Sequence, residues 1–328
     1  MRIIYIYLLM LRYRASILLL IFFLLSLAFN QKFFYFSFNH ILAIIALFSS
    51  YVAATSINDI VDKNVDKINH PNTKDRPLIS GIATEKDMYL IHFLGVIIAL
   101  FCSLLISLKS FLIILISLFI NYLYSVPPFK ISYRTYLAPI LLSIAYVLIP
   151  YILGLEISNS KIERDEIIFI LSLLFLFTGR ILLKDFRDRK GDLMYGKITF
   201  LLRYGKVTTC LLSFILILAS NAFLFLALPN KNLISLILLE LFFIAIFVML
   251  YKLFKADNLT DELFSIALGA KMGNGLLLSI LGSLILMEYG YSAQHQNLFI
   301  LSMLIIFYIF LIYSIKEYKN ISYSFKAQ

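Results

Sequence analysis

The stretch NDIVDKNVDKINHPNTKDRPLISG, residues 58–81, follows directly on a long apolar run and decides how this part of the chain folds. Asn58, Asp62 and Asp66 are four residues apart, and Asp59 lies three residues before Asp62. Side chains at these spacings share one face of a helix. The spacing therefore predicts that the helix before this stretch continues to about Asp66 and carries all four side chains as one polar stripe.

The composition around this stretch is typical of a membrane protein. The chain of 328 residues is 61% hydrophobic and 15% charged, with a mean hydropathy of +0.91, whereas soluble domains are about half apolar and a quarter charged. An all-α fold is therefore predicted, a polytopic bundle of transmembrane helices. Ten apolar segments of about bilayer-spanning length cover roughly 15–30, 38–57, 88–107, 110–125, 136–155, 166–184, 207–228, 232–251, 264–286 and 297–315.

The basic residues are unevenly distributed between the two sides of this predicted bundle. Of the 29 lysines and arginines, 22 fall on one side, 5 on the other and 2 inside segments. By the positive-inside rule the rich side is cytoplasmic, and both termini lie there. The net charge of +10 is thus explained by orientation, and no nucleic-acid partner is predicted. The residue usage indicates a bacterial source, hence an integral protein of the bacterial inner (plasma) membrane.

A second group of carboxylates occurs in KDFRDRKGD, residues 184–192. Asp185, Asp188 and Asp192 are separated by three and then four residues, so they share a face if the helix continues that far. Gly191 weakens helix propensity near the last of them. Both aspartate clusters follow even-numbered apolar segments, which predicts that both lie at the cytoplasmic surface.

Six carboxylates at one membrane surface would repel one another unless cations lie between them. Oxygen ligands without His or Cys favour Mg²⁺, which takes carboxylates together with substrate phosphates. The spacing therefore predicts a Mg²⁺-bridged diphosphate site. For either cluster alone, a charged helix end with ion pairs such as Lys184–Asp188 is the competing interpretation. Neighbouring basic residues that could hold phosphate oxygens are Arg76, Lys130, Arg134, Lys184 and Arg187.

Two further elements carry polar residues. In YSVPPFKISYR, Tyr124–Arg134, the two prolines end the fourth helix and place Lys130 in a short loop, either at a site or as a topogenic charge. Inside the apolar segments stand Arg180, Glu240 and, in GAKMGNG, Lys271 and Asn274. Ionisable residues within a membrane are functional candidates. For Arg180 the alternatives are the pocket reached by Lys184 or a structural hydrogen-bond donor.

These motifs resemble those of the UbiA superfamily of intramembrane prenyltransferases. NDIVDKNVD is similar to its first aspartate motif, N-D-x-x-D-x-x-x-D, and RPLISG to its R-P-x-x-x-G segment. YSVPP resembles the Y-S-x-P-P turn. KDFRDRKGD, with GKITF and YG after it, resembles the second motif, D-x-x-D-x-x-x-D. The four matches occur in the family's order, after the second, fourth and sixth helices, and the resemblance covers about residues 15–290.

The resemblance implies one membrane domain over residues 1–328, with nine helices around a central cavity under a cytoplasmic cap and an extra helix at about 297–315. It implies that one Mg²⁺–diphosphate unit is bound by Asn58, Asp59, Asp62 and Asp66. The other would be bound by Asp185, Asp188 and Asp192. Diphosphate or the forming cation would be contacted by Arg76, Lys130, Lys184 and Tyr124. Asp62, Asp188 and Tyr124 are the predicted catalytic residues.

The activity implied is Mg²⁺-dependent transfer of a prenyl group from an isoprenyl diphosphate to an acceptor within the membrane. The acceptor expected first is an aromatic ring or quinone precursor, although glyceryl phosphate lipids and sugar phosphates also occur in the superfamily. A membrane terpene cyclase of the same superfamily, which needs no external acceptor, is the alternative. A transporter or lipid-binding protein is disfavoured, because transporters place their charged sites near the midplane.

Overall fold

The computed structural model describes residues 2–71, 76–228 and 232–326, with side chains described as far as Lys316. Within these ranges the chain is helical and contains no strand. Three short elements stand between α-helices: a 3₁₀ turn over Ile131–Tyr133, a π-helical turn over Ile144–Leu148 and a 3₁₀ turn over Leu182–Lys184. The helices are α1 Arg2–Met10, α2 Tyr13–Phe29, α3 Phe38–Val61, α4 Lys63–Asn69, α5 Glu85–Ile106, α6 Leu108–Ser125, α7 Leu137–Ser143, α8 Ile149–Ser158, α9 Arg164–Ile181, α10 Asp185–Met194, α11 Phe200–Ala227, α12 Leu233–Lys255, α13 Leu259–Tyr289 and α14 Ala293–Lys326.

Nine spans in the described part of the chain are long and apolar enough to cross a membrane. In this count α7–α8 form one span over Leu137–Ser158, and α9–α10 form another over Arg164–Met194. The pair α1 and α2, bent by 62° at its break, makes a tenth if it is counted as one span. The predicted all-α membrane bundle of nine to ten helices is confirmed, and the chain is an integral membrane protein.

The helices form two compact units. The first comprises Met1–Ile162 and Asp188–Arg203, and the second comprises Glu163–Arg187 and Tyr204–Gln328. The chain thus enters the second unit at α9, returns to the first within α10, and leaves it again early in α11. That residues 1–328 act as one domain stays a prediction.

In the first unit α3 packs along α5 at close range. A Cβ on Gly95 of α5 would lie 2.8 Å from the Ser49 carbonyl oxygen, so this approach requires glycine. The short helix α1 folds back onto the same pair of helices. Its Arg2 forms an ion pair with Asp87 at 2.8 Å, and the Tyr7 hydroxyl donates to Ser49 Oγ at 2.8 Å. These contacts hold α1 against α3 and α5, and therefore help to position the residues that follow α1.

In the second unit, small hydroxyl side chains link α9 to α11. Ser172 Oγ donates to the Ser220 carbonyl oxygen at 2.9 Å, and Ser213 Oγ donates to the Gly179 carbonyl oxygen at 2.7 Å. Such residues allow helix backbones to approach closely within a membrane. Helix α14 contains the predicted tenth segment, and its Phe299 belongs to an apolar cluster with residues of α12 and α13.

The helix carrying the first aspartates continues as predicted, with one non-helical residue at Asp62, where φ is −97° and ψ is 14°. Helix α3 ends at Val61 and α4 begins at Lys63, yet the hydrogen-bond ladder runs through the junction. Asp62 N donates to the Asn58 carbonyl oxygen, and Asp66 N donates to that of Asp62, both at 2.8 Å. Of the predicted cytoplasmic cap, residues 72–75 lie outside the described part of the chain.

Candidate functional site

The first aspartate cluster is buried and neutralised by two arginines. Asp59 and Asp66 are 2% and 7% exposed, values that isolated carboxylates do not tolerate. Arg76 Nη1 lies 3.0 Å from Asp59 Oδ1 and also contacts Asp66. Arg12, in the break between α1 and α2, contacts the other oxygen of Asp59. Arg76 therefore folds back from beyond α4 and ties the two ends of the cluster together.

Asp62 is the member of the first cluster with an open oxygen. Its Oδ2 accepts a long hydrogen bond, 3.4 Å, from Asn58 Nδ2. Its Oδ1 is buried and accepts no hydrogen bond from any residue that the structure describes. The nearest cation is the Lys130 ammonium, 3.7 Å away, which also lies 3.8 Å from the Tyr133 ring centroid. Asp62 Oδ1 is thus a buried carboxylate oxygen without a hydrogen bond from the described residues.

The electrostatics of the cluster are dominated by burial. The pKa of Asp66 is raised to about 6, mainly by burial and also by the neighbouring carboxylates Asp59 and Asp62. The Arg76 guanidinium opposes this shift. The cluster therefore holds negative charge only because cations stand among the carboxylates.

The second cluster meets the end of α4. The His70 ring lies beside α10, with Nε2 3.3 Å from Asp188 Oδ1. Asn69 Oδ1 accepts from Gly191 N at 2.7 Å, and its Nδ2 lies 3.4 Å from Asp192 Oδ1. Asn69 and His70, three and four residues after the first aspartate motif, thus contact two aspartates of the second, inside the first unit.

Lys197 is a cation common to both clusters. Its ammonium lies 3.4 Å from Asp192 Oδ1, and its side chain is only 12% exposed. Burial alone would lower the pKa of Lys197. Its pKa is instead raised above the ordinary value by the surrounding groups, which are Tyr124, Asp192, Asp62 and Asp188. Lys197 is therefore in contact with Asp192 of α10 and interacts electrostatically with carboxylates of both clusters.

The remaining predicted site residues are placed less centrally. Tyr124 is half-buried, and the hydroxyl of the next residue, Ser125, lies 3.4 Å from Asn58 Nδ2. Lys184 and Asp185, both half-buried, belong to the second unit, where α10 begins. The side chains of Arg134 and Arg187 are exposed, which weakens the prediction that they hold phosphate. Glu240 lies on α12 and accepts from Asn221 Nδ2 at 3.1 Å.

The residues fit Mg²⁺ by their chemistry. No three His, Cys, Asp or Glu side chains of the described residues converge on one point at metal-binding distance. What the cluster offers instead is the open, buried Oδ1 of Asp62, with further carboxylate oxygens one helical turn away. Oxygen donors of this kind bind Mg²⁺ when substrate phosphates complete the coordination. Asp59 differs, because two guanidinium groups already hold it.

Sequence reasoning missed four residues of this site: Arg12, Asn69, His70 and Lys197. For Arg12 there was a signal, since an arginine within an apolar N-terminal stretch is unusual, but its charge was assigned to topology. Asn69 and His70 lie three and four residues after Asp66, and His70 N donates to the Asp66 carbonyl oxygen at 2.8 Å. Continuing the helical face by one turn would have found them.

Replacement of Arg12 tests its place in the site. We expect Arg12→Gln to lower the prenyl transfer that the sequence motifs predict about tenfold, because the buried Asp59 carboxylate loses one of its two charge-assisted hydrogen-bond partners. The matched control is Arg14→Gln, since Arg14 is exposed and contacts the Tyr13 hydroxyl at 3.1 Å. Turnover is measured in membranes that contain equal amounts of each variant. Equal turnover in both variants would remove Arg12 from the site.

Comparison with known proteins matches this arrangement to one family. The UbiA prenyltransferase family matches residues 17–274. A digeranylgeranylglyceryl phosphate synthase of Methanocaldococcus jannaschii is 32% identical over 163 residues, 50% of this chain and 54% of the relative. Another, of Methanococcus maripaludis, is 27% identical over 186 residues, 55% of this chain and 61% of the relative. The matched part thus spans somewhat more than half the length of these relatives.

Solved structures share the fold. A structure of a digeranylgeranylglyceryl phosphate synthase superimposes with a TM-score of 0.65 at 24% identity, over 87% of this chain and 99% of that one. A UbiA homologue of Archaeoglobus fulgidus bound to DMAPP and Mg²⁺ gives a TM-score of 0.56 at 18% identity, over 94% and 98% of the two chains. At these identities the similarity establishes the fold alone.

Proposed function

Because the chain belongs to the UbiA prenyltransferase family, we propose that it transfers a prenyl group from an isoprenyl diphosphate to the hydroxyl of a glycerol phosphate lipid, using Mg²⁺. The observation that carries the proposal is the contact between the two clusters: Asn69 and His70, after the first cluster, lie beside Asp192 and Asp188 of the second, and Lys197 lies 3.4 Å from Asp192. Two carboxylate clusters from distant parts of the chain meet there beside long apolar helices. Such a place suits a substrate with a diphosphate head and a hydrocarbon tail.

The chemistry follows from where charge develops. The bond between the prenyl carbon and diphosphate oxygen breaks when the negative charge on the departing oxygens is neutralised. Mg²⁺ bound at the clusters would supply that neutralisation as a Lewis acid. Asp62 and Asp188 would hold the metal-bound substrate. Lys130 and Arg76 would hold phosphate oxygens. The ammonium group of the half-buried Lys130 lies 3.7 Å from Asp62 Oδ1.

The prenyl group departs as an allylic cation, which must meet the acceptor before it meets water. Aromatic faces stabilise such a cation through their quadrupoles. Tyr124 is a candidate for this role, because the next residue, Ser125, contacts Asn58 of the first aspartate cluster. Water must be kept from the cation, because it would convert the prenyl group into an alcohol. Attack by the acceptor oxygen then forms an ether and releases diphosphate and a proton.

The acceptor is where this proposal departs from the sequence-based expectation. An aromatic or quinone-precursor acceptor was expected first, whereas the relatives reported above are named for a glyceryl phosphate product. These relatives are archaeal, and the predicted bacterial plasma membrane stays a prediction.

The cytoplasmic orientation of the aspartate-bearing loops, supported by the basic residues, is part of the proposal. Labelling of a cysteine placed at Leu193 from either side of a sealed vesicle tests it.

Product analysis tests the acceptor. The purified chain in nanodiscs is given Mg²⁺, geranylgeranyl diphosphate and either a prenylated glycerol phosphate lipid or hydroxybenzoate. We expect mass spectrometry to show an ether of the glycerol phosphate lipid, and no product after chelation of Mg²⁺. A prenylated ring as the only product would restore the aromatic acceptor. Cyclic hydrocarbon formed without acceptor would instead indicate a terpene cyclase.

A further inference from the structure

The second unit holds an arginine inside a membrane span. Arg180, on α9, is half-buried, and its Nη2 donates to two groups of α13: the Ala270 carbonyl oxygen at 2.9 Å and Asn274 Oδ1 at 2.6 Å. Its Nε and Nη1 atoms are buried, and neither has a hydrogen-bond acceptor in the described part of the chain. No carboxylate among the described residues forms an ion pair with it.

A glycine on α13 leaves the space that this guanidinium occupies. A Cβ built on Gly273 would overlap the Nε and Cζ atoms of Arg180. The next residue, Asn274, supplies the side-chain acceptor. The sequence GAKMGNG, noted above for Lys271 and Asn274, thus surrounds the arginine on one side. Gly273 permits the close approach, and Asn274 fixes the orientation of the group.

A purely structural role does not account for the charge. Arginine stays protonated in proteins, and a charged side chain inside a membrane is expensive unless it is paired. The carbonyl of Ala270 and the amide of Asn274 are neutral, so they satisfy one nitrogen without neutralising the cation. A glutamine at this position could donate two hydrogen bonds to the same groups without any charge. Buried donors without partners commonly indicate a ligand or water that completes the site.

We propose that Arg180, oriented by Asn274 over Gly273, binds the phosphate of the acceptor lipid. This inference rests on the proposed function, because it is the glycerol phosphate acceptor that brings a phosphate beside its reacting hydroxyl. Arg180 lies five residues before Asp185, about 8 Å along the helix axis, on the membrane side of the second motif. Arg180 and Asp185, the first aspartate of that motif, belong to the same unit. A charge-assisted contact with phosphate is what a guanidinium makes best.

The test compares an acceptor with and without its phosphate. Wild type is expected to prefer the prenylated glycerol phosphate lipid over its dephosphorylated analogue, and Arg180→Gln is expected to lose that preference. The KM for the phosphorylated acceptor should rise about thirtyfold through the lost charge-assisted bonds, while the KM for geranylgeranyl diphosphate stays within about twofold. The matched control is Ser172→Ala on the same helix, which removes only the hydrogen bond to Ser220 and should leave the preference unchanged.

A second variant keeps the test decisive if Arg180→Gln does not fold. Asn274→Asp places a carboxylate against Arg180 Nη2, so the guanidinium stays in place but is neutralised, and the phosphate preference should again be lost. An unchanged preference in both variants overturns the proposal. A rise in the KM for geranylgeranyl diphosphate alone would also overturn it, because the anion bound would be the donor's diphosphate.

Thermal stability separates this inference from the proposed function. The phosphorylated lipid should raise the melting temperature of wild type but not of Arg180→Gln, whether or not transfer occurs. If this difference is seen without any ether product, the phosphate site stands and the proposed reaction fails. If ether forms and the difference is absent, the reaction stands and the phosphate site fails.

Discussion

Asp62→Asn is expected to lower prenyl transfer at least about 10³-fold, the scale of loss seen when a group that stabilises transition-state charge is removed. Asparagine keeps the size of the side chain and can still accept from Asn58. It removes the negative charge and replaces one carboxylate oxygen by a nitrogen that cannot bind Mg²⁺. Asp62 is the position to test, because its Oδ1 is the buried oxygen that no described donor satisfies. Turnover is measured at saturating and at tenfold higher Mg²⁺.

The control for this variant is a carboxylate in the same unit that has only a surface role. Glu85 forms an ion pair with Lys63 at 2.7 Å, and both side chains are about half exposed. Such pairs contribute little, so Glu85→Gln should retain turnover within about twofold. Turnover of Asp62→Asn near that of Glu85→Gln, with both variants folded, would contradict the placement of the metal. Asp188→Ala is expected to behave like Asp62→Asn, since it lies in the partner cluster.

The fold could be predicted from sequence because the membrane imposes regular segment lengths. Each apolar run of spanning length became a helix, and the four-residue spacing of Asn58, Asp62 and Asp66 continued through the α3–α4 junction as a hydrogen-bond ladder. The bend between α1 and α2 was not predictable. It falls at Arg12, which has a left-handed backbone with φ of 43°, and neither glycine nor proline marks it.

The site could be predicted only in part. Spacing identifies residues that share one face of a helix, but it does not identify the helix against which that face packs. The aspartates were found by their period. That Asn69 would meet Gly191 and Asp192 depends on a contact between segments more than 120 residues apart, for which no local pattern exists. The same limit applies to basic residues. Arg76 and Arg134 are alike in sequence, yet Arg76 is bound to Asp59 whereas Arg134 is exposed.

Gly191 shows how a local rule can be overridden by such a contact. Glycine is unfavourable inside a helix by about 1 kcal/mol relative to alanine, and α10 nonetheless runs through it to Met194. The reason lies in α4: a Cβ on Gly191 would meet the Val65 carbonyl oxygen and Asn69 Oδ1, each at 2.7 Å. The same Asn69 oxygen accepts from Gly191 N. The glycine is therefore required for the two aspartate-bearing helices to touch.

Gly191→Ala is accordingly expected to lower prenyl transfer about 10²-fold, the loss that follows when reacting groups move by about 1 Å. The methyl group must separate α4 from α10, which displaces Asp188 and Asp192 from His70 and Asn69. Overpacking of this kind also destabilises by about 1–3 kcal/mol, more than the helix gains from alanine. The measurements are turnover, the Mg²⁺ concentration at half-maximal rate, which should rise, and the melting temperature, which should fall.

Leu193→Ala provides the comparison, because Leu193 lies two residues further along α10 and is 69% exposed. It changes the same helix without touching α4, and its turnover and melting temperature should match wild type. If Gly191→Ala instead raises the melting temperature and keeps full turnover, helix propensity outweighs the contact and α4 and α10 do not need to touch. Full turnover would then also mean that the clusters act without the link that Asn69 and His70 make between them.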